Sequence, residues 1–68
     1  MWLELHDSDG KSIFVNMENA TDFRRWNADD LYTQIAVGGF GEKGRIVHVV
    51  EDPGTIKTMI DDAQLRSR

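Results

Sequence analysis

Residues 45–60 constrain the fold most, because a short apolar strand leads there directly into an amphipathic helix. Valine and isoleucine dominate the segment 45–51, which is typical of a β-strand. Asp52 and Pro53 follow, and they fit the N-cap and the first position of a helix, where a carboxylate accepts free backbone amides and proline loses no hydrogen bond. Thr55 is an alternative cap for a later start.

The helix is predicted over residues 53–66, because apolar side chains recur at i, i+3, i+4 and i+7. The residues of this stripe are Ile56, Met59, Ile60 and Ala63. Lys57, Asp61, Asp62 and Gln64 fall on the other faces of the same helix and are expected to be solvated.

The predicted strand over residues 45–51 is apolar on both of its faces. Val47 and Val49 lie on one face, and Ile46, His48 and Val50 lie on the other. A strand of this kind is usually covered on both sides. We therefore expect either the C-terminal helix or a second copy of the chain to cover Ile46, His48 and Val50.

Four more strands are predicted ahead of it, at about residues 2–7, 12–17, 21–26 and 31–37. The first two are joined by Asp7-Ser8-Asp9-Gly10, which has the residue types of a tight hairpin turn. The third strand is the least certain: a loop at 18–20 followed by a strand is favoured, and one or two helical turns are the alternative. In the fourth strand, Leu31, Thr33, Ile35 and Val37 share one face.

The segment 38–44 contains four of the six glycines. Its Gly39-x-Gly41-x-x-Gly44 spacing matches a dinucleotide-binding fingerprint, but that site needs a helix N-terminus directly after the glycines. Strand-forming residues follow instead, so the segment is interpreted as a flexible hairpin loop.

The chain of 68 residues is long enough for one domain only. A domain of this size buries roughly 60% of the surface that its unfolded chain exposes, and it often needs additional stabilisation. The chain has no cysteine and only two histidines, so we expect oligomerisation to supply it. The net charge of −4 disfavours nonspecific nucleic-acid binding. With no signal peptide or membrane span recognisable, a cytoplasmic protein is expected.

No nucleophile–base pair, paired carboxylates or metal-ligand cluster can be assembled from the sequence. We therefore predict a protein that is not an enzyme, with no catalytic residues, no metal site and no cofactor. His6 and His48 are interpreted as packing or surface residues. If the first and fifth strands pair, the two histidines would approach each other, and a metal-binding or pH-sensing pair is the alternative.

Two groups of residues are candidates for binding. Trp2 at the start of a strand is a suitable interface anchor, and with Ile46, His48 and Val50 it forms the predicted oligomer interface. Stacking on an aromatic ring combined with arginine contacts to phosphates is a common way to bind single strands. The alternative nucleic-acid surface accordingly consists of Arg24, Arg25, Trp26 and Lys43.

The order of these elements resembles the small flagellar-operon proteins of the FlbD/SwrD type and related short bacterial and phage proteins. The matching features are Asp9-Gly10, the strand end Ile13-x-Val15-Asn16, and Val49-x-Glu51 leading into a short helix. The chain departs from that family in the polar segment 18–30 and at Met17, where the family commonly has proline. The five-strand order also resembles Sm-like and SH3-like small barrels, whose members often form rings.

The sequence thus predicts a mainly β fold: a five-stranded, bent antiparallel sheet that closes into a small SH3- or Sm-like barrel, with one C-terminal helix. The predicted function is that of a small homo-oligomeric protein-interaction module with an unidentified protein partner and no membrane association. The alternative is an Sm-like protein that binds single-stranded RNA.

Overall fold

The computed structural model describes residues 1–38 and 44–66. These residues form a mostly β structure with one C-terminal helix, as predicted. The elements are β1 (Trp2–His6), β2 (Ser12–Asn16), one turn of 3₁₀ helix (Met17–Asn19), β3 (Ala20–Arg24), β4 (Thr33–Val37), β5 (Arg45–Val49) and α1 (Pro53–Arg66). The strands make two antiparallel sheets, β1-β2 and β3-β4-β5.

The turn between β1 and β2 is the tight hairpin that the sequence predicts. The Asp7 carboxylate accepts hydrogen bonds from the backbone N–H groups of Asp9 (2.9 Å) and Lys11 (3.0 Å). Gly10 has a φ of 79°, which a residue with a Cβ adopts only at a cost. From this turn onward, the two strands pair in register from His6↔Ser12 to Trp2↔Asn16.

The connection from the first sheet to the second is a single helical turn followed by a strand. Asn16 begins the turn, and its side chain accepts a 3.2 Å hydrogen bond from the N–H of Glu18. The strand β3 starts at Ala20, with an irregular register between Ala20 and Asp22. The favoured prediction of a short turn and a third strand is therefore confirmed, although β3 ends at Arg24, two residues before the predicted end.

The second sheet pairs β4 centrally with both of its neighbours. Thr33, Ile35 and Val49 are completely buried on its inner side. Because β4 begins at Thr33, Leu31 lies outside the strand and is 75% exposed. The predicted start of this strand at Leu31 is therefore two residues too early.

The helix α1 closes the core from the inner side of the sheets. Asp52 is its N-cap: the Asp52 carboxylate accepts a 2.7 Å hydrogen bond from the N–H of Thr55, so the alternative cap is not used. Ile56 is completely buried, and Met59, Ile60 and Ala63 are half-buried, as the predicted stripe requires. The buried apolar core consists of Leu3, Leu5, Val15, Ile35, Val49 and Ile56.

The outer face of β5 is not covered by the helix. Ile46 is 52% exposed and Val50 is 40% exposed, and His48 between them is also exposed. Of the two predicted covers for this face, α1 is therefore ruled out by its position on the opposite side of the core.

The described residues show two separate sheets and no closed barrel. The first sheet and the end of β5 are joined by a 2.9 Å hydrogen bond from the N–H of Val50 to the carbonyl of His6. The barrel closure predicted from the sequence is therefore not confirmed. Residues 39–43 of the glycine-rich loop lie outside the described residues, but a strand and not a helix follows Gly44, and Val37 pairs with Arg45.

Candidate interaction surface

The outer face of the second sheet carries two adjacent rows of side chains. The strand register sets these rows, because cross-strand partners point to the same side of a sheet. The register is Asp22↔Ala36↔Ile46 in one row and Arg24↔Gln34↔His48 in the next. Asp22, Arg24, Ile46 and His48 are exposed. We call these six residues the outer face; they bring together members of both predicted binding groups.

Trp26 lies over the second of these rows and is held there by two contacts. Its indole Nε1 donates a 2.9 Å hydrogen bond to the Gln34 side chain. The Arg24 guanidinium lies 4.3 Å from the ring centroid, a cation–π contact. The ring is nevertheless 62% exposed. An exposed aromatic side chain with a fixed orientation is well suited to binding a partner, because little entropy is lost when it is covered.

Arg25, predicted as a contact to nucleic acid, is instead part of the fold. Its Nε donates a 3.2 Å hydrogen bond to the Thr33 hydroxyl. Its Nη2 donates hydrogen bonds to the carbonyls of Val50 (3.2 Å) and Leu31 (3.4 Å). Three of the five N–H donors of Arg25 are therefore engaged by acceptors of its own chain, which fixes the guanidinium against the fold.

The other predicted nucleic-acid contacts do not form a free basic cluster either. Arg24 is stacked on Trp26, and its guanidinium lies 3.4 Å from the Asp22 carboxylate. Lys43 lies outside the described residues. The structure therefore places Arg24 and Trp26 together, and it gives Arg25 a structural role.

A groove of about 630 Å³ opens between the two sheets. Residues of β1 and β2 line one wall, and residues of β4 and β5 line the other. Trp2, Phe14 and Ile46 project at its border, with exposures of 66%, 66% and 52%. We call these three residues the groove rim. The rim is apolar, and large exposed apolar groups that cluster around a concave surface commonly mark a binding site.

Phe14 is the rim residue that the sequence analysis did not select. The sequence indicated its outward position, because neighbouring residues of a strand point to opposite faces and Ile13 and Val15 point inward. A single exposed aromatic side chain is common on protein surfaces, but one that lies beside others forms an apolar patch. The register Glu4↔Phe14 and Trp2↔Asn16 places it on the same face as Trp2.

The four residues of the predicted oligomer interface occupy neighbouring parts of this surface. Trp2 and Ile46 line the same groove, and His48 belongs to the outer face. Val50 lies in the bend after β5, where its N–H is bonded to His6. All four are exposed, and Ile46 belongs to both the groove rim and the outer face.

His6 and Glu51 form a close ion pair beside that bend. The Glu51 carboxylate accepts a 2.9 Å hydrogen bond from the His6 backbone N–H and lies 2.7 Å from the His6 Nδ1. The hydrogen bond to Glu51 raises the pKa of His6 above its usual value, and the Glu4 and Asp7 carboxylates add to this effect. Desolvation alone would raise the pKa of Glu51, but the hydrogen bonds from the His6 ring and backbone outweigh it and lower that pKa.

The predicted approach of His6 to His48 depends on pairing between β1 and β5, and these strands belong to different sheets. His6 contacts Glu51, whereas His48 is paired with Gln34 on the outer face. Within residues 1–38 and 44–66, no group of three or more His, Asp or Glu side chains is placed to bind a metal ion. No described helix is long and apolar enough to cross a membrane.

No protein-family model, curated protein or solved structure matches the chain. The resemblance to FlbD/SwrD-type proteins and to Sm-like or SH3-like barrels therefore stays a prediction. The interpretation of the surface rests on its own geometry.

Proposed function

We propose that the protein is a small, non-enzymatic, homo-oligomeric interaction module in which the surface around Ile46 packs against the same surface of a second copy. The observation that carries this proposal is the groove rim, where Trp2, Phe14 and Ile46 are each more than half exposed. Such groups gain free energy when a partner covers them, at roughly 25 cal/mol per Å² of apolar surface.

The size of the exposed apolar surface supports this proposal. A fully buried aromatic side chain covers roughly 150–250 Å². With two thirds of Trp2 and Phe14 and half of Ile46 exposed, the groove rim offers roughly 300 Å² of apolar surface. A standard interface buries about 800 Å² on each partner, of which somewhat more than half is apolar. The groove rim and the neighbouring Val50 thus supply most of the apolar area that a stable dimer needs.

The charges around Ile46 are compatible with self-association. Asp22 and Arg24 lie in adjacent rows of the outer face, carry opposite charges and contact each other at 3.4 Å. In a two-fold symmetric interface, a residue that contacts a second residue is itself contacted by the copy of that residue. Asp22 can therefore exchange Arg24 of its own chain for Arg24 of the other copy, and the reciprocal exchange takes place at the same time, so that neither charge is left unpaired.

A second copy would also supply the stability that the monomer lacks. The described core contains six buried apolar side chains with nine half-buried ones packed against them, and a domain of this size is marginally stable alone. The SH3- or Sm-like barrel belongs to this proposal: the hydrogen bond between Val50 and His6 lies where β1 and β5 of a barrel would join.

Light scattering on a size-exclusion column tests the proposal at micromolar concentration. Wild type is expected to elute with the mass of a dimer or higher oligomer. Ile46→Lys is expected to shift the mass to that of a monomer, because it introduces a charge at the centre of the interface. Leu65→Lys is the matched control, since Leu65 is 64% exposed on the distant helix. A stable wild-type monomer would contradict the proposal.

Binding of single-stranded RNA is the second candidate function, and the exposed Trp26 with Arg24 stacked on it favours it. Base stacking on such a ring contributes roughly 1–3 kcal/mol. A labelled oligouridylate at low salt would test it by fluorescence anisotropy. Binding that weakens steeply with salt and is lost in Trp26→Ala would support RNA binding. Absence of binding at low salt would contradict it.

A further inference from the structure

We propose that the contact between His6 and Glu51 is a pH-sensitive latch, which holds the two sheets together at the end of β1 away from the groove rim and thereby regulates self-association. This inference rests on the proposed function, because it concerns the same surface. It adds that the strength of self-association through this surface depends on pH.

The latch lies where the two sheets meet. His6 is the last residue of β1, and Glu51 follows β5 by two residues. Three hydrogen bonds join these segments: from the N–H of Val50 to the carbonyl of His6, and from the backbone and the ring of His6 to the Glu51 carboxylate. The Glu51 side chain is only 14% exposed, so its charge is poorly hydrated and depends on these partners.

The segment that carries Glu51 is itself held firmly. The Thr33 hydroxyl donates a 2.6 Å hydrogen bond to the carbonyl of Glu51, and Arg25 donates a 3.2 Å hydrogen bond to the carbonyl of Val50. One half of the latch is therefore attached rigidly to the second sheet. The half whose contact can change is the side chain of His6 at the end of β1, since β1 itself is also held in the core by Leu5.

The latch is placed to control the groove. His6 and Trp2 lie at opposite ends of β1. On the other sheet, Ile46 lies near the start of β5, and Val50 directly follows its end. Joining His6 to residues 50–51 therefore limits how far Trp2 can move from Ile46 on the opposite wall. A binding surface whose walls are held in place loses less entropy on association and binds more tightly.

Protonation of His6 changes the strength of the latch. The carboxylates near its ring are Glu51 on the second sheet, Glu4 on the same strand and Asp7 in the adjacent turn, and all three favour the charged imidazolium. Near Glu51, the basic Arg25 contacts the carbonyl of Val50. The carboxylate of Asp52, also nearby, is engaged with Thr55. Deprotonation of His6 therefore removes the attraction between opposite charges and leaves a weaker hydrogen bond between the neutral imidazole and the Glu51 carboxylate.

The direction of the pH dependence follows from the two pKa shifts. A raised pKa of His6 contributes stability that is complete below the ordinary histidine pKa of about 6.5 and is lost as the pH rises through the raised value. A lowered pKa of Glu51 contributes stability above its ordinary value, which is lost as the pH falls through the lowered value. The latch is strongest in mildly acidic solution and weakens as the pH rises through the raised pKa of His6.

Sedimentation velocity at about pH 5.5 and about pH 8.5 tests the latch. Wild type should lose affinity at the higher pH, because the imidazolium form of His6 that favours the contact with Glu51 is deprotonated there. The quantity to compare is the ratio of the self-association constant at the lower pH to that at the higher pH. In His6→Gln this ratio should fall close to the value expected from the change in net charge alone. Glu51→Gln is the second variant, and it should reduce the ratio in the same way.

Asp62→Asn is the matched control for Glu51→Gln, because it also removes one carboxylate and Asp62 is exposed on α1, away from the groove rim and the outer face. It should keep the wild-type ratio. A ratio that survives in both His6→Gln and Glu51→Gln, or that disappears in Asp62→Asn, would overturn the latch alone. A wild-type monomer at both pH values would overturn the proposed function and this regulation with it.

Discussion

The hydroxyl of Thr33 donates a 2.6 Å hydrogen bond to the backbone carbonyl of Glu51 from a completely buried position. The same hydroxyl oxygen accepts a 3.2 Å hydrogen bond from the Nε of Arg25. One small polar side chain at the start of β4 thereby joins the bend after β5 to the segment after β3. The bend carries Glu51 to His6, so Thr33 also supports the contact between the two sheets.

Replacing Thr33 with valine tests this role. The variant keeps the side-chain shape but leaves the carbonyl of Glu51 and the Nε of Arg25 without their partner. Unsatisfied buried polar groups cost roughly 1–3 kcal/mol each, so we expect the free energy of unfolding to fall by about 1–3 kcal/mol. Urea denaturation followed by circular dichroism measures it.

Thr21→Val provides the control for that experiment. Thr21 also lies in a strand and donates a 3.3 Å hydrogen bond to the carbonyl of Ala36, but it is exposed, so water can replace the lost partner. A change within about 0.5 kcal/mol is expected there. Equal effects of the two substitutions would show that burial of the Thr33 hydroxyl is not what matters.

Most of the fold was predictable because its determinants are local. The alternation of Leu3 and Leu5, the residues of the Asp7–Gly10 turn and the Asp52-Pro53 helix start each act over a few positions. The strand ends were less predictable. Arg25 and Leu31 fit the strand pattern, but the strands on either side end at Arg24 and begin at Thr33, where the ladder pairing stops.

The surface was only partly predictable, since its arrangement depends on long-range register. The alternation of side chains along β5 was enough to predict that Ile46 and His48 share one face. It did not show that Arg25 is engaged by Val50, a residue far away in sequence, nor that Glu51 accepts hydrogen bonds from His6. Contacts of this kind follow from how the two sheets meet, and no local pattern encodes that.

Gly10 and Gly54 are expected to respond in opposite directions to substitution by alanine. Gly10 has a φ of 79°, so a Cβ there costs about 1–2 kcal/mol. Gly54 lies in the first turn of α1, and the nearest atom to an added Cβ is an ordinary 3.6 Å away. Gly54→Ala should therefore stabilise the protein by roughly 0.5–1 kcal/mol. Thermal unfolding of the two variants measures both effects, and a stabilising Gly10→Ala would contradict the turn geometry.

Ile56 is the residue through which α1 is anchored to the core. It is completely buried, so Ile56→Ala leaves a cavity and should cost about 2–5 kcal/mol, a large share of the stability of a small domain. Leu65→Ala in the same helix should cost less than about 0.5 kcal/mol, because Leu65 is 64% exposed. Urea midpoints of both variants check the difference. Comparable losses would mean that the helix packs through a different face.

The N-cap Asp52 should stabilise the protein only while its carboxyl group is ionised. The hydrogen bond from the backbone N–H of Thr55 lowers the pKa of Asp52. Its contribution is therefore present above the ordinary pKa of aspartate, about 3.9, and is lost as the pH falls through the lowered value. Asp52→Ala should lower the thermal midpoint by several degrees at neutral pH, and by progressively less below about pH 4.

Asp62→Ala is the control for the cap, because Asp62 is exposed in the middle of the same helix. It removes the same charge and replaces it with a stronger helix former, so its midpoint should stay close to that of wild type or rise. Thermal melts between about pH 3 and pH 7 compare the three proteins across the titration of aspartate. If the deficit of Asp52→Ala is the same at both ends of that range, the ionised carboxylate does not cap the helix.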